Sequence, residues 1–199
     1  MQYHNFHTHS IYSDGKYTLR EMTDAAIEKG FTNLGFSDHS NNRVESYYCM
    51  MSDGERSYRK KVRALSEEYA DRIKIHLGVE QDSESEIPDF DYDYIISSVH
   101  EMARRGVSLP IDSSPELQKK LVDELFYGST DDFAKAYFEK VADNVARNRT
   151  DIIGHFDLVT KFNEGGKMFD ENSDAYKKIV YQTLEELVIS KPIFEVNTG

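Results

Sequence analysis

The segment from Thr18 to His39 reads TLREMTDAAIEKGFTNLGFSDH, and it decides the fold. Thr18 and Glu21 have the spacing of a capping box, in which each side chain satisfies a backbone N–H of the other at a helix start. Gly30 stands where a glycine commonly follows the last turn of a helix. The pattern predicts a helix over Leu19–Lys29.

A short strand is predicted directly after this helix, and the same succession recurs along the chain. The strand covers Asn33–Phe36 and is followed by Ser37-Asp38-His39. By the same criteria we predict helices at Ser57–Tyr69, Asp131–Arg149 and Tyr176–Ile189, and strands at Ile73–Val79, Tyr92–Val99 and Asp151–Gly154, with one more strand beginning over Pro192–Val196. Pro110 and Pro115 are expected to break the long stretch between Glu101 and Gly128. Alternating strands and helices indicate a parallel α/β fold.

In parallel α/β folds the chemistry collects where the strands end, so the residues that close each strand are informative. A histidine or a carboxylate follows each of five successive predicted strands, the first of which runs into His7-Thr8-His9. These residues are His7 and His9 with nearby Asp14, then His39, Glu80, His100 and His155. Five of the seven histidines in the sequence therefore lie at one edge of the predicted sheet.

These residue types at this edge predict a metal site. Neutral imidazole and carboxylate are ligands that suit Zn, Mn or Fe. His7 and His9 project to the same side, because residues i and i+2 of a strand share a face. Glu80 has two carboxylate oxygens and could bridge two ions, which together can activate a water and clamp an oxyanion. The sequence contains neither a G-x-x-x-x-G-K-[ST] phosphate loop nor a G-x-G-x-x-G dinucleotide fingerprint.

The composition narrows the class of function. The 199 residues include 24 Lys+Arg against 36 Asp+Glu, a formal net charge of −12. This balance disfavours binding to nucleic acid or to an anionic membrane. Cys49 is alone, so an internal disulfide is excluded, and we expect a cytoplasmic protein without a membrane partner. The composition does not distinguish a monomer from a homo-oligomer.

The ordered strand-end motifs resemble those of a known family. F-H-T-H-S with S-D-G, then S-D-H, G-V-E, S-V-H and G-H-F-D are similar to the motifs of the PHP (polymerase and histidinol phosphatase) superfamily, and within it to the histidinol-phosphate phosphatases. The resemblance implies a distorted parallel (β/α)7 barrel formed by a single domain over residues 1–199. It also implies two or three divalent ions (Zn, Mn or Fe) and a small phosphorylated substrate, L-histidinol phosphate, hydrolysed in histidine biosynthesis.

The resemblance also implies a ligand set. His7, His9 and Glu80 would hold a first ion, Glu80 would bridge to a second held by His100 and His155, and Asp14 with His39 would hold a third. Glu80, His100 and His155 would then be catalytic, with a metal-bridged hydroxide attacking phosphorus. Lys161 is a candidate for binding the substrate phosphate. Asp38 and Asp157 could orient the neighbouring histidines or could simply be solvated.

One feature departs from the family pattern. The family's final D-x-H motif is absent from this sequence, whose last residues are Phe194–Gly199. We therefore expect a barrel that is incomplete at its C-terminus, either as a fragment or as a short variant closed by a partner subunit. Two other functions stay open at this point. They are hydrolysis of another phosphorylated substrate, such as phosphotyrosine or a nucleotide, and metal binding without activity.

Overall fold

The computed structural model describes residues 3–42, 47–87, 91–190 and 192–196. The chain divides into two compact units, Met1–Ile96 and Ser97–Gly199. The first unit contains β1 (Tyr3–Asn5), α1 (Leu19–Glu28), β2 (Phe31–Phe36), α2 (Ser52–Glu68), β3 (Lys74–Asp82) and most of β4 (Tyr94–Ser98). The second contains β5 (Glu101–Arg104), β6 (Val107–Pro110), α3 (Pro115–Phe126), α4 (Thr130–Arg147), β7 (Ile152–Ile153), α5 (Asp174–Leu187) and β8 (Ile193–Phe194).

The segment from Thr18 to His39 folds as predicted, into a helix that is followed directly by a strand. α1 begins after Thr18, and both halves of the capping box with Glu21 are formed. The helix ends at Glu28 with Lys29 as its C-cap, and Gly30 follows with a φ of 78°. This left-handed conformation is where glycine has no steric cost, so Gly30 can turn the chain directly into β2.

The strands of the first unit lie in the order β1-β2-β3-β4 in the sheet. β1 pairs with β2 and β2 with β3 in parallel, with Leu34 opposite Ile75 and Phe36 opposite Leu77. The predicted parallel α/β organisation is thus confirmed for these strands. The core of the unit is apolar and includes Leu34, Phe36, Tyr58, Val62, Ile75, Leu77 and Val79. Parallel pairing brings the C-terminal ends of the three strands to the same edge.

Tyr94 of β4 occupies space that two glycines leave open. A Cβ built on Gly78 would lie 2.1 Å from Cζ of Tyr94, and one on Gly35 would lie 2.3 Å from its Oη. The Tyr94 hydroxyl donates a 2.6 Å hydrogen bond to the carbonyl of Phe6. Since Phe6 directly precedes His7, the ring ties the chain entering the first strand-end motif to the middle of the sheet.

The second unit is mainly helical, with a core that includes Leu121, Phe133, Tyr137, Phe138 and Ile153. β7 and β8 pair in parallel, and the N–H of Gly154 donates to the carbonyl of Ser97 at the end of β4. None of the helices in the described part of the chain is long and apolar enough to cross a membrane.

The stretch from Glu101 to Gly128 is broken at both prolines, as predicted, since β6 ends at Pro110 and α3 begins at Pro115. It contains the antiparallel hairpin β5–β6 and the helix α3. The hairpin loop is Arg105-Gly106, with φ of 55° and 78°, the signs that a type I′ turn requires. Pro115 is the first residue of α3, a position where proline fits because the first helical residue needs no N–H partner.

Two predicted boundaries shift by three residues or more. α2 begins five residues before the predicted Ser57, and β3 continues past Val79 to Asp82. Glu80 therefore lies within a strand rather than just after one. The residue is fully buried there.

Candidate metal centre

Three imidazoles converge on one oxygen of Glu80. Its Oε2 lies 3.1 Å from Nε2 of His7, 3.0 Å from Nε2 of His9 and 3.1 Å from Nδ1 of His39. His7 and His9 follow β1, His39 follows β2, and Glu80 belongs to β3. An isolated parallel bridge between His39 and Glu80 continues the pairing of β2 with β3 beyond the end of β2. The parallel strands of the first unit thus bring His7, His9, His39 and Glu80 to one point, as the sequence predicts.

The geometry of this cluster fits a divalent ion. Ligand atoms of His9, His39 and Glu80 all lie within 4.8 Å of one another. Zinc bonds of 2.0–2.2 Å in tetrahedral geometry place ligand atoms about 3.4 Å apart, close to the 3.0–3.1 Å found around Glu80 Oε2. Nitrogen and carboxylate donors are also the set that Zn, Mn and Fe accept. The first unit can therefore hold a metal ion.

Asp14 contacts the far side of two of these rings. Its Oδ1 lies 2.8 Å from Nδ1 of His9 and 4.0 Å from Nε2 of His39. The hydrogen bond with His9 is the main reason that the pKa of Asp14 is lowered. Burial disfavours a protonated His9, but its contacts with Asp14 and Glu80 outweigh burial and raise the pKa of His9 to about 9. A carboxylate on Nδ1 leaves Nε2 of His9 facing Glu80, the orientation that a ligand needs.

The contacts group these residues differently from the resemblance. There, His39 and Asp14 belong to a separate third ion. Here, His39 places one ring nitrogen on Glu80 and turns the other towards Asp14. The rings of Tyr48 and His39 also pack edge to face, with their centroids 4.8 Å apart. No sequence pattern marks Tyr48 as part of the site, since an aromatic residue in a loop has no distinctive spacing.

Asp38 has a role that neither sequence interpretation anticipates. It is fully buried, so the solvated interpretation is wrong. Its carboxylate accepts hydrogen bonds from the backbone N–H and hydroxyl of both Ser10 and Ser13, at 2.7–3.1 Å. Burial raises the pKa of Asp38, and the bonds from Ser13 and Ser10 oppose that rise. These bonds hold the turn that connects His9 with Asp14.

We expect Asp38→Asn to loosen this turn. An amide can keep one oxygen for the donors that bond to Oδ1, but it places an NH2 group where Oδ2 accepts from the Ser10 hydroxyl, and it removes the negative charge that strengthens all of these bonds. The substitution should destabilise the metal-free protein by about 1–3 kcal/mol and weaken zinc binding by about 10–100-fold. Urea unfolding and zinc titration measure the two effects. Exposed Asp71→Asn makes the same charge change and is the control; equal zinc affinity in both variants would contradict the role assigned to Asp38.

His100 and His155 form a second pair, within the second unit. Their Nε2 atoms are 3.2 Å apart and their rings meet edge to face. His155 has a φ of 38°, a left-handed conformation that costs energy for a residue with a Cβ. Such strain persists where surrounding structure enforces it, here next to the Gly154–Ser97 hydrogen bond. Two imidazole nitrogens directed at each other are suited to sharing one ion or proton.

The remaining candidates lie in less specific settings. Nζ of Lys161 is 3.1 Å from Oδ2 of Asp112, so an acidic neighbour already accompanies the proposed phosphate ligand. Asp157 is exposed, which favours its solvated interpretation. His76 places Nε2 3.1 Å from Oδ1 of Asn33.

The parallel strands and the histidine–carboxylate cluster together define an α/β protein whose strand ends could hold a metal ion. The chain belongs to the PHP domain family, which matches residues 5–199. A Schizosaccharomyces pombe protein named "Probable histidinol-phosphatase" is 30% identical over 216 residues, covering 97% of this chain and 68% of that protein.

Two solved structures have the same fold. A candidate histidinol phosphatase, HisK, from Listeria monocytogenes superposes with a TM-score of 0.81 at 18% identity, covering 99% of this chain and 83% of that one. The histidinol phosphate phosphatase of Lactococcus lactis, solved with Zn, L-histidinol and phosphate, has a TM-score of 0.70 at 21% identity and covers 98% and 73%. The predicted family and the PHP-type barrel fold class are thus confirmed.

Proposed function

We propose that this protein is a metal-dependent phosphomonoester hydrolase that acts on L-histidinol phosphate. The observation that carries the proposal is the convergence of His7, His9 and His39 on one oxygen of the buried Glu80. A lone buried carboxylate is costly, whereas one that joins three imidazoles in holding a cation is stabilised. The relatives named as histidinol-phosphatases, and the zinc, histidinol and phosphate in the Lactococcus structure, support the substrate.

The proposed cofactors are two or three divalent ions, which we expect to be Zn, Mn or Fe. His7, His9, His39 and Glu80 would hold ions in the first unit, and His100 with His155 in the second. When bound, such ions lower the pKa of a coordinated water and neutralise charge on the phosphate oxygens. Because the protein carries a net charge of −12, bound cations would provide the local positive charge that an anionic substrate requires.

The protein side chains have separate tasks in this proposal. Asp14 fixes the ring orientation of His9, so that Nε2 rather than Nδ1 faces the ion. Glu80 balances the charge of the cations from a site that water does not reach. Asp38 keeps the turn between His9 and Asp14 in place. Lys161 remains a proposed phosphate ligand, which would exchange its contact with Asp112 for the substrate. The lone Cys49 is in keeping with work in the cytoplasm.

The test combines turnover with metal content. The metal-free protein is reloaded with Zn, Mn or Fe and assayed on histidinol phosphate, phosphotyrosine and a nucleoside monophosphate. We expect metal-dependent release of phosphate, with the highest kcat/KM for histidinol phosphate. A uniform response to all three substrates would contradict the substrate assignment, and turnover that survives complete metal removal would contradict the mechanism.

His155→Gly gives this experiment a variant that keeps the fold. Glycine adopts a φ of 38° without strain, so the metal-free variant should unfold at a temperature equal to or above that of the wild type. The variant lacks one imidazole of the pair, and we expect it to lose bound metal and most turnover. Unchanged metal content together with normal turnover would remove His155 from the proposed site.

A further inference from the structure

α2 carries four cations along one face. Arg56, Arg59, Lys60 and Arg63 are spaced i, i+3, i+4 and i+7, which places them in one stripe. Like charges at this spacing repel and destabilise a helix. Other helices of the protein have the opposite arrangement, with i, i+4 pairs of unlike charge at Lys119–Asp123, Lys120–Glu124 and Lys135–Glu139.

The stripe lines a groove in the first unit. The groove has a volume of about 550 Å³, and its wall also includes Ala64 and Leu77. This size lies within the range of small-molecule sites. Acidic residues balance the stripe only in part: Glu67 and Asp91 also line the groove, and Arg63 pairs with Asp93 at 2.8 Å. Among the described residues, neither Arg56 nor Lys60 forms an ion pair, and both are exposed.

This local excess of positive charge contrasts with the chain as a whole. The protein has 36 acidic against 24 basic residues, yet four cations border one concave surface. None of the groove residues belongs to the metal cluster around Glu80. Repulsion within the stripe is relieved when an anion with several charges binds along it. Guanidinium groups also present paired N–H donors that match phosphate oxygens.

We propose that this groove is a second anion site, which binds a polyphosphate chain, either free or as part of a nucleotide. Side chains of the stripe that are three or four positions apart are neighbours on the helix surface, with Cβ atoms about 5–6 Å apart. A row of linked phosphates can therefore meet more than one cation at once. Leu77, Ala64 and the aliphatic stems of the arginines and Lys60 offer apolar surface beside the charges.

Matched charge reversals test the proposal. Lys60→Glu places a carboxylate in the stripe, whereas Lys61→Glu makes the same charge change on an exposed neighbour outside the groove. Binding of inorganic tripolyphosphate, ATP and citrate to the metal-loaded protein is measured by calorimetry. Because both variants keep the same metal cluster, chelation of metal by the probes affects them equally.

We expect tripolyphosphate or ATP to bind to the wild-type protein. Lys60→Glu should weaken this affinity about tenfold or more, whereas Lys61→Glu should change it less than about twofold. Tighter binding of tripolyphosphate would identify the phosphate chain as the ligand, and tighter binding of ATP a nucleotide. Either result supports the proposal. Equal weakening by both variants, citrate binding as tight as either phosphate probe, or no saturable binding below about 1 mM would overturn it.

Discussion

Glu80→Gln is expected to leave the protein folded and nearly inactive. Glutamine keeps the shape of the side chain, but it replaces the carboxylate whose Oε2 contacts His7, His9 and His39 with a neutral amide. The first unit should lose at least one bound ion. A loss of about 4 kcal/mol of transition-state stabilisation corresponds to a fall of about 10³-fold in kcat/KM. Metal analysis and turnover of histidinol phosphate measure these two effects.

The control for Glu80→Gln is an equal change of charge on the surface of the same unit. Glu28 is exposed at the end of α1, and Glu28→Gln should leave metal content and turnover unchanged. Circular dichroism of the metal-free Glu80→Gln protein shows whether it is folded. A folded variant with full metal content and wild-type turnover would exclude Glu80 as a ligand.

Gly78→Ala is expected to produce the largest loss of stability. The new Cβ would lie 2.1–2.5 Å from three ring carbons of Tyr94, much closer than any van der Waals contact. Tyr94 is buried and cannot move without breaking its hydrogen bond to Phe6. Overpacking of this kind costs about 1–3 kcal/mol in ordinary cores, and we expect about 3 kcal/mol or more here. Urea unfolding of the metal-free protein gives the value.

Gly54→Ala is the matched control. Gly54 lies in α2, and a Cβ there meets nothing within 4 Å. Alanine should stabilise the helix at this position by up to about 1 kcal/mol. The double variant Gly78→Ala/Tyr94→Leu, which shortens the obstructing side chain, should recover part of the loss. A change below about 1 kcal/mol for Gly78→Ala alone would contradict the packing argument.

The candidate ligands were predictable because they follow elements with strong local signals. The capping box at Thr18 and the glycine at position 30 fix where β2 begins and hence where His39 falls. Parallel pairing then brings His9 and Glu80 beside it. The sequence pattern cannot give the distances between side chains, so it did not show that His39 contacts Glu80 as well as Asp14.

Other features depend on contacts between residues that are far apart in the sequence. Asp38 bonds to Ser10 and Ser13, and no local pattern links residues 25 or more positions apart. Gly35 and Gly78 are ordinary strand residues until the Tyr94 ring is placed across them. Pro115 was predicted to mark a break in the chain, but not to begin a helix, because proline can either end a helix or begin one depending on what precedes it.

The candidate ligands of the first unit lie between residues 7 and 80, after β1, after β2 and within β3, and this spread links metal supply to folding. An unfolded chain would have to close long loops to gather them, so it binds the ion far more weakly than the native chain does. An ion that binds only the native state stabilises it by about 2.7 kcal/mol at a free concentration 100 times its Kd. The melting temperature of this protein would then rise with available metal, and a cell starved of the metal would lose the enzyme to unfolding and proteolysis as well as losing its activity.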